Sequence, residues 1–194
     1  MKPPLYTDSD PRFLEAIGYV FCLSVVVCGL LASFAALKGS NNTELDTEEQ
    51  VDIGDDYTLH CERVAPEDFN RIVEEAGKIA GVNPRIIALT VYRESKCDPL
   101  AIGADGEIGL GQVYPSVWES TLIEEGIIES VEDLYDPRVN LQAVGFILSE
   151  SLRYAKGDPR DALRRYNGSG PAAQRYATEQ YLVYRDFWGE TPWF

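Results

Sequence analysis

Residues 84–115 read PRIIALTVYRESKCDPLAIGADGEIGLGQVYP, and this stretch decides the fold class. It begins with a proline after Asn83, a pair typical of an N-cap followed by the first helical position. Apolar residues then recur at helical spacing up to Glu94, which predicts one helix. From about Asp98 to Gly111 the sequence is rich in glycine and lacks an apolar period, so we expect a loop there.

Similar helical signals occur on both sides of this stretch. Apolar spacing predicts a helix that starts behind Pro66 and ends near Gly81. No pair of strands joined by a hairpin turn stands out, so the predicted fold class is mainly α. Three more helices are predicted to begin at proline-containing pairs, namely Asp136–Pro137, Asp158–Pro159 and Gly170–Pro171.

Composition excludes several classes of protein. The chain has 194 residues, which is the size of one domain with appendages. Its formal net charge of −15 repels phosphate backbones, so no nucleic-acid partner is expected. It holds four cysteines and one histidine, without a CxxC or an HxxxH pair. This pattern excludes a structural zinc site, and the sequence indicates no metal and no cofactor.

One apolar segment predicts a membrane span. From Ala16 to Leu37, 22 consecutive residues carry no charge, and a helix of about 20 residues crosses the hydrocarbon core. We therefore expect a transmembrane helix at residues 13–38, which would bind the chain to a lipid membrane. A cleaved signal peptide is the alternative, although its apolar region usually has only about 7 to 15 residues.

The segments around this span define the predicted domain order. Two basic residues precede the span and one follows it, which favours a cytoplasmic tail at residues 1–12. Residues 39–62 hold eight acids and no Lys or Arg, as expected of a flexible, self-repelling linker. Residues 63–194 then form the predicted folded domain, which would lie outside the cytoplasm.

Two cysteines lie on the predicted outer side of the membrane. Cys61 and Cys97 are therefore candidates for a disulfide, which would stabilise the domain by about 3 to 4 kcal/mol in the chain-entropy model. Two buried free thiols are the alternative. Cys22 and Cys28 lie in the apolar span, where a thiol behaves as a small apolar group.

Glu94 is the residue with the most distinctive expected surroundings. It ends an apolar helix, so its carboxyl should lie at a boundary between core and cleft, where burial raises the pKa of a carboxyl group. A carboxyl that still holds its proton near neutral pH can act as a general acid. The alternative is a helix-end glutamate in an ordinary ion pair.

Three motifs follow one another in the helical part of the chain. Glu-Ser stands at residues 94–95, Gly-Leu-x-Gln at 109–112, and Tyr-Asn followed by glycines at 166–170. In this order and spacing they resemble the catalytic domain of soluble lytic transglycosylases, which is related in fold to goose-type lysozymes. The resemblance covers about residues 66–187. It implies a lysozyme-like transglycosylase domain, preceded here by the single transmembrane helix.

The resemblance also implies a role for each matching residue. Glu94 matches the catalytic acid, which protonates the oxygen of the MurNAc–GlcNAc bond and then accepts a proton from the MurNAc 6-hydroxyl to leave a 1,6-anhydro sugar. A single carboxylate suffices where the substrate's N-acetyl group assists. Tyr92 is expected in the core. The predicted substrate-binding residues are Ser95, Gln112, Tyr114, Tyr166 and Asn167.

Three further carboxylates bear on the type of reaction. Asp98, Asp105 and Glu107 are expected to be solvated loop residues. If one of them faced Glu94 across the cleft, hydrolysis would be favoured over anhydro-sugar formation, because most glycoside hydrolases use two carboxylates.

Three positions depart from the family pattern. Gly111 stands where Met or Leu is usual, which is expected to loosen the loop. Arg165 replaces a small residue, and Ser169 replaces a common glycine. None of these changes removes a reacting group, so we expect them to affect rate or specificity.

The sequence leaves alternative functions and settings open. A lysozyme-type hydrolase of the same fold would leave reducing ends, and an inactive glycan-binding structural module would release nothing. The implied partners are peptidoglycan glycan strands and virion or secretion-complex proteins. The protein would open the wall locally, either for a secretion or conjugation apparatus or when a phage injects its genome. Its domain would face the periplasm or belong to a virion membrane.

Overall fold

Six α-helices and one short 3-10 helix make up the part of the chain that this computed structural model describes, residue 64 and residues 66–189. The predicted tail, transmembrane helix and linker (1–12, 13–38 and 39–62) lie outside the described residues. None of the described helices has both the length and the apolar character that a membrane crossing requires. The helices are α1 (Pro66–Ala80), α2 (Pro84–Ser95), α3 (Pro115–Glu124), the 3-10 helix (Val131–Tyr135), α4 (Pro137–Tyr154), α5 (Pro159–Asn167) and α6 (Gly170–Trp188).

The mainly α class is confirmed, and so are the five helices that the sequence predicts. The three predicted N-caps each accept a hydrogen bond from the backbone N–H two residues later, at 2.9 to 3.0 Å. These caps are Asn83 of α2, Asp136 of α4 and Asp158 of α5. Each satisfies a donor that the first turn of a helix leaves unpaired, and the proline that follows has no N–H to satisfy.

Two elements were not predicted, α3 and the 3-10 helix. α3 buries only Leu122 among the side chains of its ten residues, so its sequence shows little apolar period. The 3-10 helix has a signal that is easy to overlook, a serine followed three residues later by an acid. The Asp133 carboxylate accepts hydrogen bonds from the backbone N–H groups of Ser130 and Glu129 at 3.0 and 2.7 Å, as in a capping box.

α4 is the central helix of the core. It contacts α1, α2, α5 and the 3-10 helix, and it buries Leu141, Val144 and Leu148. Gly145 permits the close approach of α1, because a Cβ there would lie 3.0 Å from Ala80 Cβ. Burial of these apolar side chains supplies the main driving force for the arrangement.

The predicted loop after α2 folds back on itself beside this core. Isolated antiparallel bridges join Ile102 to Ile108 and Ile108 to Val113. Leu110 and Val113 are buried, so the loop is anchored from its inner side. The fold thereby brings the end of α2, the glycine-rich loop and the helices α5 and α6 together around Glu94.

Candidate active site

Glu94 lies in the last turn of α2. The helix ends after Ser95 because Lys96 adopts a left-handed conformation (φ 53°) while its N–H still donates to the Tyr92 carbonyl at 3.0 Å. The Glu94 side chain is half-buried. The Tyr176 hydroxyl of α6 donates a hydrogen bond to Glu94 Oε1 at 2.6 Å. The carboxyl is therefore held between two helices.

The surroundings of Glu94 favour its protonated form. Burial raises the pKa of Glu94 from 4.5 to about 7, and the negative charge of Glu107 also raises it. The Tyr176 hydrogen bond and the Arg93 charge act in the opposite direction without cancelling the effect of burial. The raised pKa expected from the sequence is thus present. A carboxyl with this pKa can give up and take back a proton near neutral pH.

Tyr176 was missed by the sequence analysis. It lies on the side of α6 that also carries the buried residues Ala173 and Ala177. A tyrosine on such a face needs a hydrogen-bond partner for its hydroxyl group. That requirement is a signal, but the sequence does not reveal that the partner is Glu94, 82 residues earlier.

Asn140 of α4 fixes the backbone of the Gly-Leu-x-Gln loop. Its side chain is fully buried. Its Oδ1 accepts from the Gly111 N–H at 2.9 Å, while Nδ2 donates to the carbonyls of Ile108 and Leu134 at 3.0 and 2.7 Å. One amide thus satisfies three buried backbone groups on two segments, which defines the position of the loop.

Two predicted substrate-binding hydroxyls also hold this loop. Ser95 Oγ donates to the Leu110 carbonyl at 2.7 Å, and the Tyr166 hydroxyl donates to the Gly111 carbonyl at 2.7 Å. Burial and the nearby charge of Glu94 raise the pKa of Tyr166 well above its usual range. Both hydroxyls therefore border the site with their hydrogens directed at the loop, and their role as sugar contacts stays a prediction.

Gln112 is held in the loop by its own side chain. Its backbone is left-handed (φ 49°), and Nε2 donates to the carbonyls of Gly109 and Ala101 at 3.0 and 3.3 Å. The remaining polar atom, Oε1, faces Gly103, where an added Cβ would lie 2.8 Å from it. A sugar hydroxyl would therefore donate a hydrogen bond to Gln112 Oε1 most readily.

Glu107 corrects the expectation that all three loop carboxylates are solvated. Asp105 is exposed, but Asp98 and Glu107 are half-buried. Glu107 Oε2 accepts from the Asp105 N–H at 3.0 Å and lies over Gly103, where a Cβ would collide with it. Its charge acts on Glu94. Of the three carboxylates, Glu107 is the one that influences the candidate acid.

The family departures have local explanations. Gly111 does not loosen the loop, contrary to expectation, because its N–H and carbonyl are both bonded and a Cβ would collide with Val144 Cγ2. The Arg165 Nε donates to Asp161 at 2.8 Å, one turn earlier on α5. Ser169 has φ −136°, an extended conformation that does not require glycine.

The remaining predicted residues lie near the loop or at helix ends. Tyr114 precedes α3, two residues after Gln112, and Asn167 ends α5 beside Tyr166. Both are half-buried, and the contacts of the described chain do not join either one to Glu94. Tyr92 is half-buried rather than a core residue, with the Lys96 ammonium 4.0 Å from the centre of its ring.

One cysteine of the predicted disulfide lies among the described residues. Cys97 is buried and disulfide-bonded. Cys61 lies outside the described residues, so its pairing with Cys97 stays a prediction. Within the described part of the chain, no group of three or more His, Cys, Asp and Glu side chains could hold a metal ion.

Comparisons with known proteins bear on the family and the fold. The family model of the transglycosylase SLT domain matches residues 71–183, which is more than half of the chain. The structure is similar to the X-ray structure of an inactive glutamate-to-glutamine mutant of the lytic transglycosylase Slt from Pseudomonas aeruginosa. That similarity has a TM-score of 0.54 and 17% identity, and it covers 63% of this chain but only 25% of the other. No curated protein matches the sequence. The chain belongs to the transglycosylase SLT domain family.

Proposed function

We propose that this protein is a peptidoglycan lytic transglycosylase that cleaves the MurNAc–GlcNAc β-1,4 bond and forms 1,6-anhydro-MurNAc. The observation that carries the proposal is the Glu94 carboxyl, which has a pKa of about 7 beside the family's glutamine loop. Family membership supports the substrate class. The glutamate-to-glutamine change in the inactive Slt mutant is consistent with a catalytic glutamate in the family.

The proposed reaction uses Glu94 twice. Protonated Glu94 donates its proton to the glycosidic oxygen as the bond from that oxygen to MurNAc C1 breaks. The N-acetyl carbonyl oxygen attacks C1 and forms a cyclic oxazolinium intermediate, so no second carboxylate is needed. The Glu94 carboxylate then accepts the proton of the 6-hydroxyl while O6 attacks C1 and the bond to the N-acetyl oxygen breaks. Glu94 ends the cycle protonated.

Tyr176 fits the second half of this cycle. Its hydrogen bond stabilises the ionised form of Glu94, which exists between the two proton transfers. Burial favours the protonated form, which is needed for the first transfer. The two opposing effects leave the pKa of Glu94 near 7, where neither form is strongly disfavoured. A general acid that becomes a general base within one turnover requires such a balance.

A lysozyme-type hydrolase of the same fold is the second candidate, and Glu107 is the observation that favours it. Glu107 is the loop carboxylate whose charge acts on Glu94. If it activated a water molecule, that water would attack C1 in place of O6. The product would then have a reducing end instead of an anhydro end.

The proposed setting follows from the N-terminal sequence. An apolar span at residues 13–38 and an acidic linker at 39–62 would anchor the domain to a membrane. An anchored enzyme reaches a high local concentration of wall substrate without electrostatic attraction. It would open the wall locally from the periplasmic side or from a virion membrane. Partner proteins of a secretion complex or of a virion would position the enzyme at this site on the wall.

The test compares the full chain with Glu94→Gln and with the exposed control Glu119→Gln on purified peptidoglycan. Mass spectrometry of released muropeptides should show anhydro ends for the native chain and the control. Release by Glu94→Gln should fall by about 10²- to 10⁴-fold, because an amide cannot donate the proton. Reducing ends would identify the hydrolase. No release by a folded native chain would contradict both activities and favour a glycan-binding structural module.

A further inference from the structure

A buried amide side chain follows Tyr176 one turn later along α6. Gln180 of α6 is only 2% exposed and shares the inner face of this helix with Ala177 and Tyr184. Its Nε2 has no hydrogen-bond partner of good geometry in the described part of the chain. A buried amide without a full partner is costly, so the presence of glutamine at this position requires an explanation.

Gln180 lies one helical turn after Tyr176, so the two side chains are neighbours on the same face of α6. Burial and the nearby charge of Glu94 raise the pKa of Tyr176 well above its usual range, and hydrogen bonding from Gln180 opposes this rise. The Gln180 amide therefore acts on the Tyr176 hydroxyl from one turn along the same face of the helix.

The helix that faces α6, α2, carries a second buried polar side chain, Thr90. Glu94 contacts Tyr176, and Arg93 forms an ion pair with Glu179, so residue numbers run in opposite directions along α2 and α6. Thr90, one turn before Glu94, therefore lies at the level of Gln180. It is 1% exposed, and its Oγ1 has no hydrogen-bond partner among the described residues. Each of the two helices therefore carries a buried polar side chain one turn away from the Glu94–Tyr176 hydrogen bond, Thr90 on α2 and Gln180 on α6.

We propose that Gln180 is a positioning residue for the candidate acid: its amide donates to the Tyr176 oxygen and so directs the hydroxyl hydrogen at Glu94. A phenol has one hydrogen to donate and can also accept. Once Gln180 donates to the oxygen, the Tyr176 hydrogen points elsewhere, and Glu94 Oε1 is the acceptor at 2.6 Å. The catalytic meaning of this arrangement rests on the proposed function.

Removing Gln180 has a predictable effect on the protonation of Glu94. Without the amide, the Tyr176 hydroxyl is free to rotate and accept a hydrogen bond from the protonated carboxyl. The protonated form is then stabilised, so the pKa of Glu94 rises. The other charged or titratable groups that act on Glu94 are Arg93 and Glu107, with Tyr166 close by, and all three remain in the variant.

The experiment titrates Glu94 in the full chain by carboxyl ¹³C NMR with labelled glutamate, using Glu94→Gln to assign the signal. Gln180→Met keeps the length of the side chain but removes its donor, and it should raise the pKa of Glu94 by roughly half a unit. Tyr176→Phe should raise it by roughly one unit. In the Tyr176→Phe background, Gln180→Met should add no shift, because its effect passes through the hydroxyl.

Asn70→Leu is the matched control, since Asn70 on α1 is another amide with a buried atom, Oδ1, that has no hydrogen-bond partner within residues 66–189. It should leave the pKa of Glu94 unchanged. An unchanged pKa in Gln180→Met, or an equal shift with and without the Tyr176 hydroxyl, would overturn the proposal. Gln180→Leu replaces Gln180→Met if the latter does not fold. The titration needs no turnover, so its failure is distinguishable from an absence of muropeptide release.

Discussion

The glycine-rich loop at residues 98–112 and the contact between α2 and α6 both border Glu94, but they differ in how fully their polar groups are paired. Backbone groups of the loop are hydrogen-bonded to the side chain of Asn140 on α4 and to the loop's own Gln112. At the helix contact, Thr90 Oγ1 and Gln180 Nε2 are buried, and neither has a hydrogen-bond partner in the part of the chain that the structure describes.

The difference separates two tasks. Multiple hydrogen bonds to its backbone fix the loop, and under the proposed function a fixed loop would hold a sugar in one orientation. In the proposed mechanism a proton leaves Glu94 and later returns to it, and at the helix contact the Tyr176 hydroxyl donates a hydrogen bond to this carboxyl. Because the protein interior has a low dielectric constant, the loss of a single polar group is costly both in the loop and at the helix contact. Substitutions in each region should therefore fail in different ways, through folding in the loop and through protonation at the helix contact.

The largest effect on stability is expected for Asn140→Leu. The change leaves the Gly111 N–H and the carbonyls of Ile108 and Leu134 without their partner in a buried place. The variant should lose about 3 kcal/mol of unfolding free energy, measured by chemical denaturation. Gln142→Leu, at a half-buried amide of the same helix, is the control and should change little. A loss below about 1 kcal/mol would show that Asn140 does not fix the loop.

At the helix contact, the unfolding free energy should instead depend on pH. The pKa of Glu94 is about 7 in the folded chain against 4.5 for an ordinary glutamate, so folding favours the protonated carboxyl. Its contribution to stability is complete below about pH 4.5 and is lost as the pH rises through about 7. Across that window Glu94→Gln should gain roughly 2 to 3 kcal/mol relative to the native chain. Chemical denaturation of both proteins at about pH 4.5 and at about pH 7 measures this gain. An equal difference in unfolding free energy at the two pH values would contradict it.

Gly111→Ala tests the packing of the loop against α4. The added Cβ would meet Val144 Cγ2 and would lie 2.9 Å from the Tyr166 hydroxyl. We expect a loss of about 1 to 3 kcal/mol in unfolding free energy, as for other overpacked sites. Combining it with Val144→Ala should cost less than the sum of the two single changes, because the second change makes room. Additive losses would show that Val144 is not the obstacle.

The sequence was most informative where physical signals are local. Asn83, Asp136 and Asp158 predicted helix starts that the structure contains, because capping depends on neighbouring residues. The predicted surroundings of Glu94 depended on its place at the end of an apolar helix, which is also local information.

What the sequence did not reveal depends on distant packing. The Tyr176 partner of Glu94 lies 82 residues away, and no spacing rule connects them. The tightness of Gly111 likewise depends on Val144, a residue of another helix. Glu107 seemed an ordinary loop carboxylate, because its position over Gly103 follows from the folded loop alone. Contacts that form only on folding, rather than residue types, decided these three cases.

The smallest effect is expected at Glu107, where the loop meets the helix contact. Its charge disfavours ionisation of Glu94, so Glu107→Gln should lower the pKa of Glu94 by a few tenths of a unit. General-acid catalysis requires the proton, so the fall of the muropeptide release rate at high pH should move to lower pH by the same amount. Exposed Glu124→Gln is the matched control. A loss of rate at every pH would instead indicate that Glu107 takes a direct part in the reaction, and reducing ends among the native products would then be expected.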